Sequence, residues 1–213
     1  MKMNNRRTAL AVVAAAVAFL SAGCAPLLVG GAVAGGVMVA SDRRSMGIQL
    51  EDQAIELRVS NAMSGKFPGD LAHINVTSYN RRVLLTGEVT TAQAKVEAQA
   101  LAEKSENVVA VLNELHVGSL STLANRNFDT ALTSKVLAAL VQAKDVPSGT
   151  IKVVSERAVV YLMGRLTQGE GEAAARAASR VSGVQRVVKY FDYLSDSDAA
   201  ALKSNPAAES PPK

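Results

Sequence analysis

Apolar residues in this chain fall into two matching series. Ile55, Val59, Ala62 and Met63 recur at three- and four-residue steps, the spacing that lays one apolar stripe along a helix. The same stripe returns 77 positions later as Leu132, Val136, Ala139 and Leu140. Asp52 and Asp129 stand ahead of the stripes, where a carboxylate can cap a helix start. Gly65 in the first series, and Pro147 with Gly149 in the second, then break the chain. Two short alternating runs follow each break. Val83, Leu85, Gly87 and Val89 share one face by the two-residue strand period, as do Val160, Leu162, Gly164 and Leu166. A glycine inside a strand is costly unless something packs closely over it, and a helix crossing that face is the expected reason. Ala-rich helices over 92–104 and 170–181 and last strands over 108–117 and 184–194 complete an αββαβ order, read twice.

The two copies match residue by residue. "INVTSYNRRVLLTGEVT" from Ile74 aligns with "IKVVSERAVVYLMGRLT" from Ile151, and Val76, Ser78, Leu85, Gly87 and Thr90 meet their equals at the same offset. Downstream Val111 pairs with Val187 at offset 76, so one residue was lost near the second helix-to-strand turn. A repeat this long is a duplicated domain. The strands Leu85-Thr86-Gly87-Glu88-Val89 and Leu162-Met163-Gly164-Arg165-Leu166, with the closing Gly183, Val184 and Val187, resemble the BON domain, which implies two helices on one face of a three-stranded mixed sheet. The resemblance covers about 48–195. Its first copy carries Asn107 where the closing glycine is expected, and Asn tolerates a left-handed turn. The fold class expected is therefore α+β, two tandem αββαβ modules.

Composition matters mainly for where the charge lies. Of 213 residues, 48% are hydrophobic and only 4% aromatic, with no Trp, which argues against large aromatic clefts. The formal charge is +4, but Lys2, Arg6 and Arg7 precede every acidic residue. Without residues 1–23 the chain holds 20 basic and 19 acidic residues, so nothing drives it toward nucleic acid. Those first 23 residues read as a secretory leader: a basic start, the apolar "ALAVVAAAVAFL", then small residues. The one cysteine, Cys24, follows Ser21, Ala22 and Gly23, which resemble the lipobox of bacterial lipoproteins. In that family the cysteine is acylated and becomes the mature N-terminus, and Ala25 in place of Asp favours the outer membrane. Several acyl chains, at about 0.8 kcal/mol per buried methylene, make a stable anchor.

The organisation expected is a leader at 1–23, a lipidated N-terminus and linker at 24–47, modules at 48–118 and 128–195 joined by a linker at 119–127, and a disordered tail at 196–213. With its lipobox, its "SDRRSMG" at 41–47 and its twin modules, the chain is similar to the dual-BON outer-membrane lipoproteins. That likeness implies a periplasm-facing protein of a Gram-negative envelope, supporting envelope integrity and division.

Catalytic chemistry is not expected. His73 and His116 have no second cysteine and no clustered carboxylates in the sequence, so neither a metal site nor a cofactor is anticipated, and Arg81-Arg82 reads as a solvated hairpin tip. No enzyme and no small-molecule substrate is expected. Function is then sought where the copies diverge. Ser60 and Ser64 of the first copy become Leu137 and Val141, which lie well away from the core stripe on the helical wheel, with Lys135, Lys144 and Arg126 nearby. The resemblance implies phospholipid binding by this second-module helix, which in the family opens with an aromatic. Here that position is Ala131, and Phe128 stands three residues earlier. The candidate lipid-binding set is Phe128, Ala131, Lys135, Leu137, Val141 and Lys144, facing anionic phospholipids of the inner leaflet. Packing of Leu137 and Val141 against the first module is the competing reading. A different class remains open: an adaptor docking on outer-membrane assembly machinery through a sheet edge or the outward sheet face (Tyr161, Met163, Arg165).

Overall fold

The structure, a computed structural model, describes residues 42–204. The expected cleavage and lipidation at Cys24 lie outside the described residues. The first module runs α1 (Met46–Lys66), β1 (Ala72–Tyr79), β2 (Arg82–Val89), α2 (Ala92–Glu103), β3 (Ala110–Asn113) and β4 (His116–Val117). The second runs α3 (Leu123–Gln142), a short 3-10 turn (Ser148–Thr150), β5 (Ile151–Glu156), β6 (Val159–Leu166), α4 (Gln168–Ser179) and β7 (Arg186–Tyr193), followed by α5 (Asp196–Ser204). In each sheet an antiparallel hairpin is extended by a parallel strand, β1-β2-β3 and β5-β6-β7, with β4 continuing beside β2. The αββαβ reading holds in both copies.

Both first helices begin earlier than the aspartates suggest. Ser45 accepts the N–H of Ile48 and Thr122 that of Asn125, so these hydroxyls are the caps. Asp52 and Asp129 sit inside the helices instead, buried among the core residues. Each reaches a two-residue hairpin whose residues, Asn80-Arg81 or Arg157-Ala158, all have positive φ. Asp52 accepts the N–H groups of Asn80 and Arg81 at 2.8 and 2.7 Å, and Asp129 those of Arg157 and Ala158 at 2.8 and 2.9 Å. Tight hairpins of this hand leave such N–H groups pointing inward, and a carboxylate on the crossing helix satisfies them.

The strand glycines are also explained differently from expectation. Gly87 has φ +107°, and a Cβ there would fall 1.9 Å from the carbonyl oxygen of His73 on β1. At Gly164 a Cβ would meet the carbonyl oxygen of Thr150 at 2.9 Å. Neighbouring backbone, not a crossing helix, excludes a side chain. Asn107 and Gly183 both take left-handed conformations, φ 63° and 103°.

Three apolar clusters hold the described residues together. One lies under α1 and α2, built on Ile55, Val59, Val83, Leu85 and Leu115. A second lies under α3 and α4, built on Leu132, Val136, Leu162, Leu166 and Phe191. The third joins the modules: Tyr79 and Leu84 pack with Tyr161 and Met163, bordered by Leu112, Val154, Val188 and Tyr190. The helix-free faces of the two sheets therefore cover each other, giving helices, sheet, sheet, helices. The sheets stack through a small apolar centre, Leu84 of β2 against Tyr161 and Met163 of β6, while Thr86 and Glu88 bring polar groups to the rest of the β2 face. This removes Tyr161, Met163 and Arg165 as an outward docking face, since all three lie in or beside the seam. Arg82 is likewise no solvated tip; its guanidinium lies over the Tyr190 ring, 5.0 Å from the centroid.

Polar bonds edge the seam. Lys152 pairs with Glu56 at 2.6 Å, Asn80 donates to Asp192 at 2.9 Å, and Arg186 pairs with Glu114 at 2.7 Å. Arg43 and Arg44 bridge it as well. Arg43, almost fully buried, binds both carboxylate oxygens of Glu170 at 2.6 and 2.7 Å and the Arg165 carbonyl at 2.9 Å. Arg44 turns the other way, binding Asp42 and Asp52 and lying 3.8 Å from the Tyr79 ring centroid. The expectation of disorder from 196 onward is corrected for its first part. Ser195 accepts the N–H of Asp198 and α5 runs to Ser204, with Ala199 buried.

Candidate functional site

The six candidate lipid-binding residues do not form one patch. Leu137 is 37% exposed and Val141 69%, on one flank of α3. Phe128, at 47%, lies roughly half a turn round the helix from Leu137, at 100° per residue. Its ring tip would lie 3.1 Å from a Cβ placed on Gly183, so it packs over the turn before β7. Ala131 and Lys135 are exposed on the Phe128 side, and Lys144 lies beyond the helix end. Leu123, 73% exposed, lies within about 40° of Leu137 and Val141 on the wheel and joins their flank, a residue the sequence comparison missed because α3 starts earlier than expected.

The first module does not cover Leu137 or Val141, so the interdomain-packing reading of these two residues falls. α3 lies on the outside of the second sheet, while the first module lies on the other side. The contrast between copies is weaker than the sequence suggests. Met46, Leu50 and Leu57 are each about 60% exposed along one side of α1, so both first helices show apolar residues to solvent. Among the described residues no helix is long and apolar enough to cross a membrane.

The structure gathers carboxylates around one histidine, contrary to the sequence expectation. His73 on β1 faces Glu88 on β2 directly across the register, with Nδ1 3.2 Å from Oε2. Glu156, at the end of β5, reaches the same spot from the other module and accepts Asn75 Nδ2 at 2.9 Å. Glu88 has no exposed surface; burial works against its charge, but bonds from Ser121, His73 and Arg157 outweigh that and hold its carboxyl below the usual range. Burial, with a further push from Glu88, raises the Glu156 carboxyl despite the Asn75 bond. No sequence signal announced this cluster, because its members are brought together only by sheet-on-sheet packing. His116, the register partner of Glu88 on β4, flanks Glu88 on the side away from His73 and lies against Gly118, and its ring nitrogens are not among the three ligand atoms that meet.

The two modules match the BON domain over residues 51–119 and 128–194. The chain belongs to the BON-domain family, as a tandem pair. It is 39% identical over 189 residues to the Outer membrane lipoprotein DolP of Haemophilus influenzae, covering 87% of this chain and 95% of that protein. It is also similar to the 21 kDa hemolysin of Actinobacillus pleuropneumoniae, 33% identical with 72% and 79% covered. The Osmotically-inducible protein Y of Escherichia coli is 32% identical, with 71% and 77% covered.

Proposed function

We propose that this chain is an envelope lipoprotein, tethered at Cys24 to the outer membrane, whose second BON module touches anionic phospholipid through the Leu123–Leu137–Val141 flank of α3. The similarity to a relative named as an outer-membrane lipoprotein supports the location. The observation that carries the contact is that Leu137 and Val141 stay exposed although the module has a partner sheet to pack on. Burying each would contribute roughly 1.5–3 kcal/mol at best. A contact that weak becomes useful because the tether makes it effectively intramolecular. The role then is non-catalytic: holding a rigid two-module body against the bilayer to support envelope integrity.

Vesicle co-sedimentation tests this. The chain from residue 25 onward should bind vesicles containing phosphatidylglycerol and not those of phosphatidylcholine alone. Leu137→Glu with Val141→Glu should weaken binding about tenfold or more, while Leu57→Glu on α1 should leave it unchanged. Equal loss from Leu57→Glu would move the contact to the first module. Full retention in the double variant would defeat the assignment.

A further inference from the structure

We propose that His73, Glu88 and Glu156 form a binding site for a divalent transition-metal ion of the zinc type, built across the seam between the two modules. One ligand atom from each lies within 4.8 Å of the other two. A zinc ion with tetrahedral bonds near 2 Å needs donors about 3.3 Å apart. His73 Nδ1 and Glu88 Oε2 already have that spacing at 3.2 Å, so Glu156 would close on them by up to about 1.5 Å. One imidazole nitrogen and two carboxylates suit zinc better than calcium or magnesium, which take mainly oxygen donors in larger number.

Charge supplies the second reason. Glu88 and Glu156 are both buried, and the guanidinium nearest them, Arg157, is half-exposed and 3.4 Å from one Glu88 oxygen. Two carboxylates held this close out of water call for a cation. The duplication shows where one would sit. At the 77-residue offset His73, Glu88 and Glu156 correspond to Thr150, Arg165 and Tyr79. Those three also meet, with the Tyr79 hydroxyl donating to the Thr150 carbonyl at 3.0 Å. That end of the seam is filled by cationic side chains, Arg44 over Tyr79 and Arg43 on the Arg165 carbonyl. The counterpart of Arg44 is Ser121, a neutral residue that donates to Glu88 at 3.1 Å. So one end has largely buried arginines set directly on it, while at the other the buried acids have only the half-exposed Arg157 on Glu88 and Arg126 acting through Ser121.

The surroundings fit a bound ion. Ser121 and Asn75 orient the two carboxylates, as outer-shell donors do around metals. Thr86, on the same face of β2 as Glu88 and opposite Asn75, is 1% exposed, and its hydroxyl has no hydrogen-bond partner among the described residues. That unsatisfied hydroxyl lies two residues from Glu88, on the sheet face the ion would occupy. A cleft of about 450 Å³, lined by His73, Asn75, Ser155 and Glu156, supplies a way in. Because Glu156 belongs to one module and His73 and Glu88 to the other, a bound ion would pin the seam.

The test uses the full purified chain, stripped with chelator and titrated with zinc chloride, read by calorimetry and by thermal unfolding. One ion per chain should bind with saturation below about 100 µM and raise the midpoint by several degrees. His73→Ala and Glu156→Gln should each weaken binding by about tenfold or more, and His116→Ala should not. Should His73→Ala fail to fold, His73→Arg supplies the cation covalently and should fold yet not bind zinc. Cobalt substituted for zinc should give visible absorption that is lost in Glu156→Gln. No saturable binding, or binding that depends on His116 rather than His73, overturns the proposal.

Discussion

Asp129, inside α3, accepts the backbone N–H of Ala158 at 2.9 Å across 29 residues of sequence, and its second oxygen takes the N–H of Arg157. Helix and hairpin are thereby pinned to each other independently of the apolar core. The same clamp recurs in the first module through Asp52, where Ser78 Oγ adds a bond at 2.6 Å. Asp129→Ala strands two N–H groups at a buried site and should cost about 2–4 kcal/mol in urea unfolding. Asp129→Asn keeps one acceptor and should cost roughly half as much.

Gly87 and Gly164 should respond unequally to a single methyl group. At Gly87 the new Cβ would overlap the His73 carbonyl and the residue would need positive φ, so Gly87→Ala should cost about 3 kcal/mol or more. Gly164→Ala meets Thr150 at a longer distance and should cost about 1–2 kcal/mol. Thermal unfolding of the two variants side by side checks the ranking. Equal losses would show that crossing helices, not neighbouring strands, set the constraint.

Arg43 and Glu170 should be energetically coupled. Both are largely buried and paired bidentately, so removing either alone leaves the other's charge uncompensated, at about 3 kcal/mol. The double variant Arg43→Ala with Glu170→Ala should lose clearly less than the sum of the singles. Arg43→Ala should also expose the chain around residue 43 to limited proteolysis, since its anchorage to the second module is gone.

Glu51 links α1 to the turn before β3, pairing with Arg58 at 2.7 Å and accepting Asn107 at 3.1 Å. These bonds, Arg58 first, hold its carboxyl below the ordinary 4.5. A folded-state pKa below the unfolded one means the unfolded chain binds the extra proton, so stability is present above pH 4.5 and lost as pH falls toward the lower folded value. The site is partly exposed, so the effect is small. Glu51→Gln should lower the unfolding midpoint slightly at pH 7 and leave it unchanged near pH 3.

Where the sequence comparison misled about the site, it did so for an identifiable reason. Leu137 and Val141 could be placed away from the core stripe because helical periodicity fixes direction. Phe128 enters the set as a stand-in for the family's aromatic at the position of Ala131, but it sits about half a turn away and packs at Gly183. The difference between copies is a weak signal because it runs both ways: Leu57, 63% exposed on α1, stands where the second copy has Ser134.

The sequence by itself determined the duplication, the αββαβ order, the helix faces that pack on the sheets and the left-handed turns at Asn107 and Gly183. These follow from periods of 2 and 3.6 and from backbone preferences, which act over a few residues. Only the tertiary structure decided that the bare faces of the two sheets meet, that Arg43 and Arg44 divide their bonds between the modules, and that Glu156 joins His73 and Glu88. Alternation can mark a strand face as apolar, but it cannot name what covers it. Contacts between residues some 80 positions apart depend on how two finished modules dock.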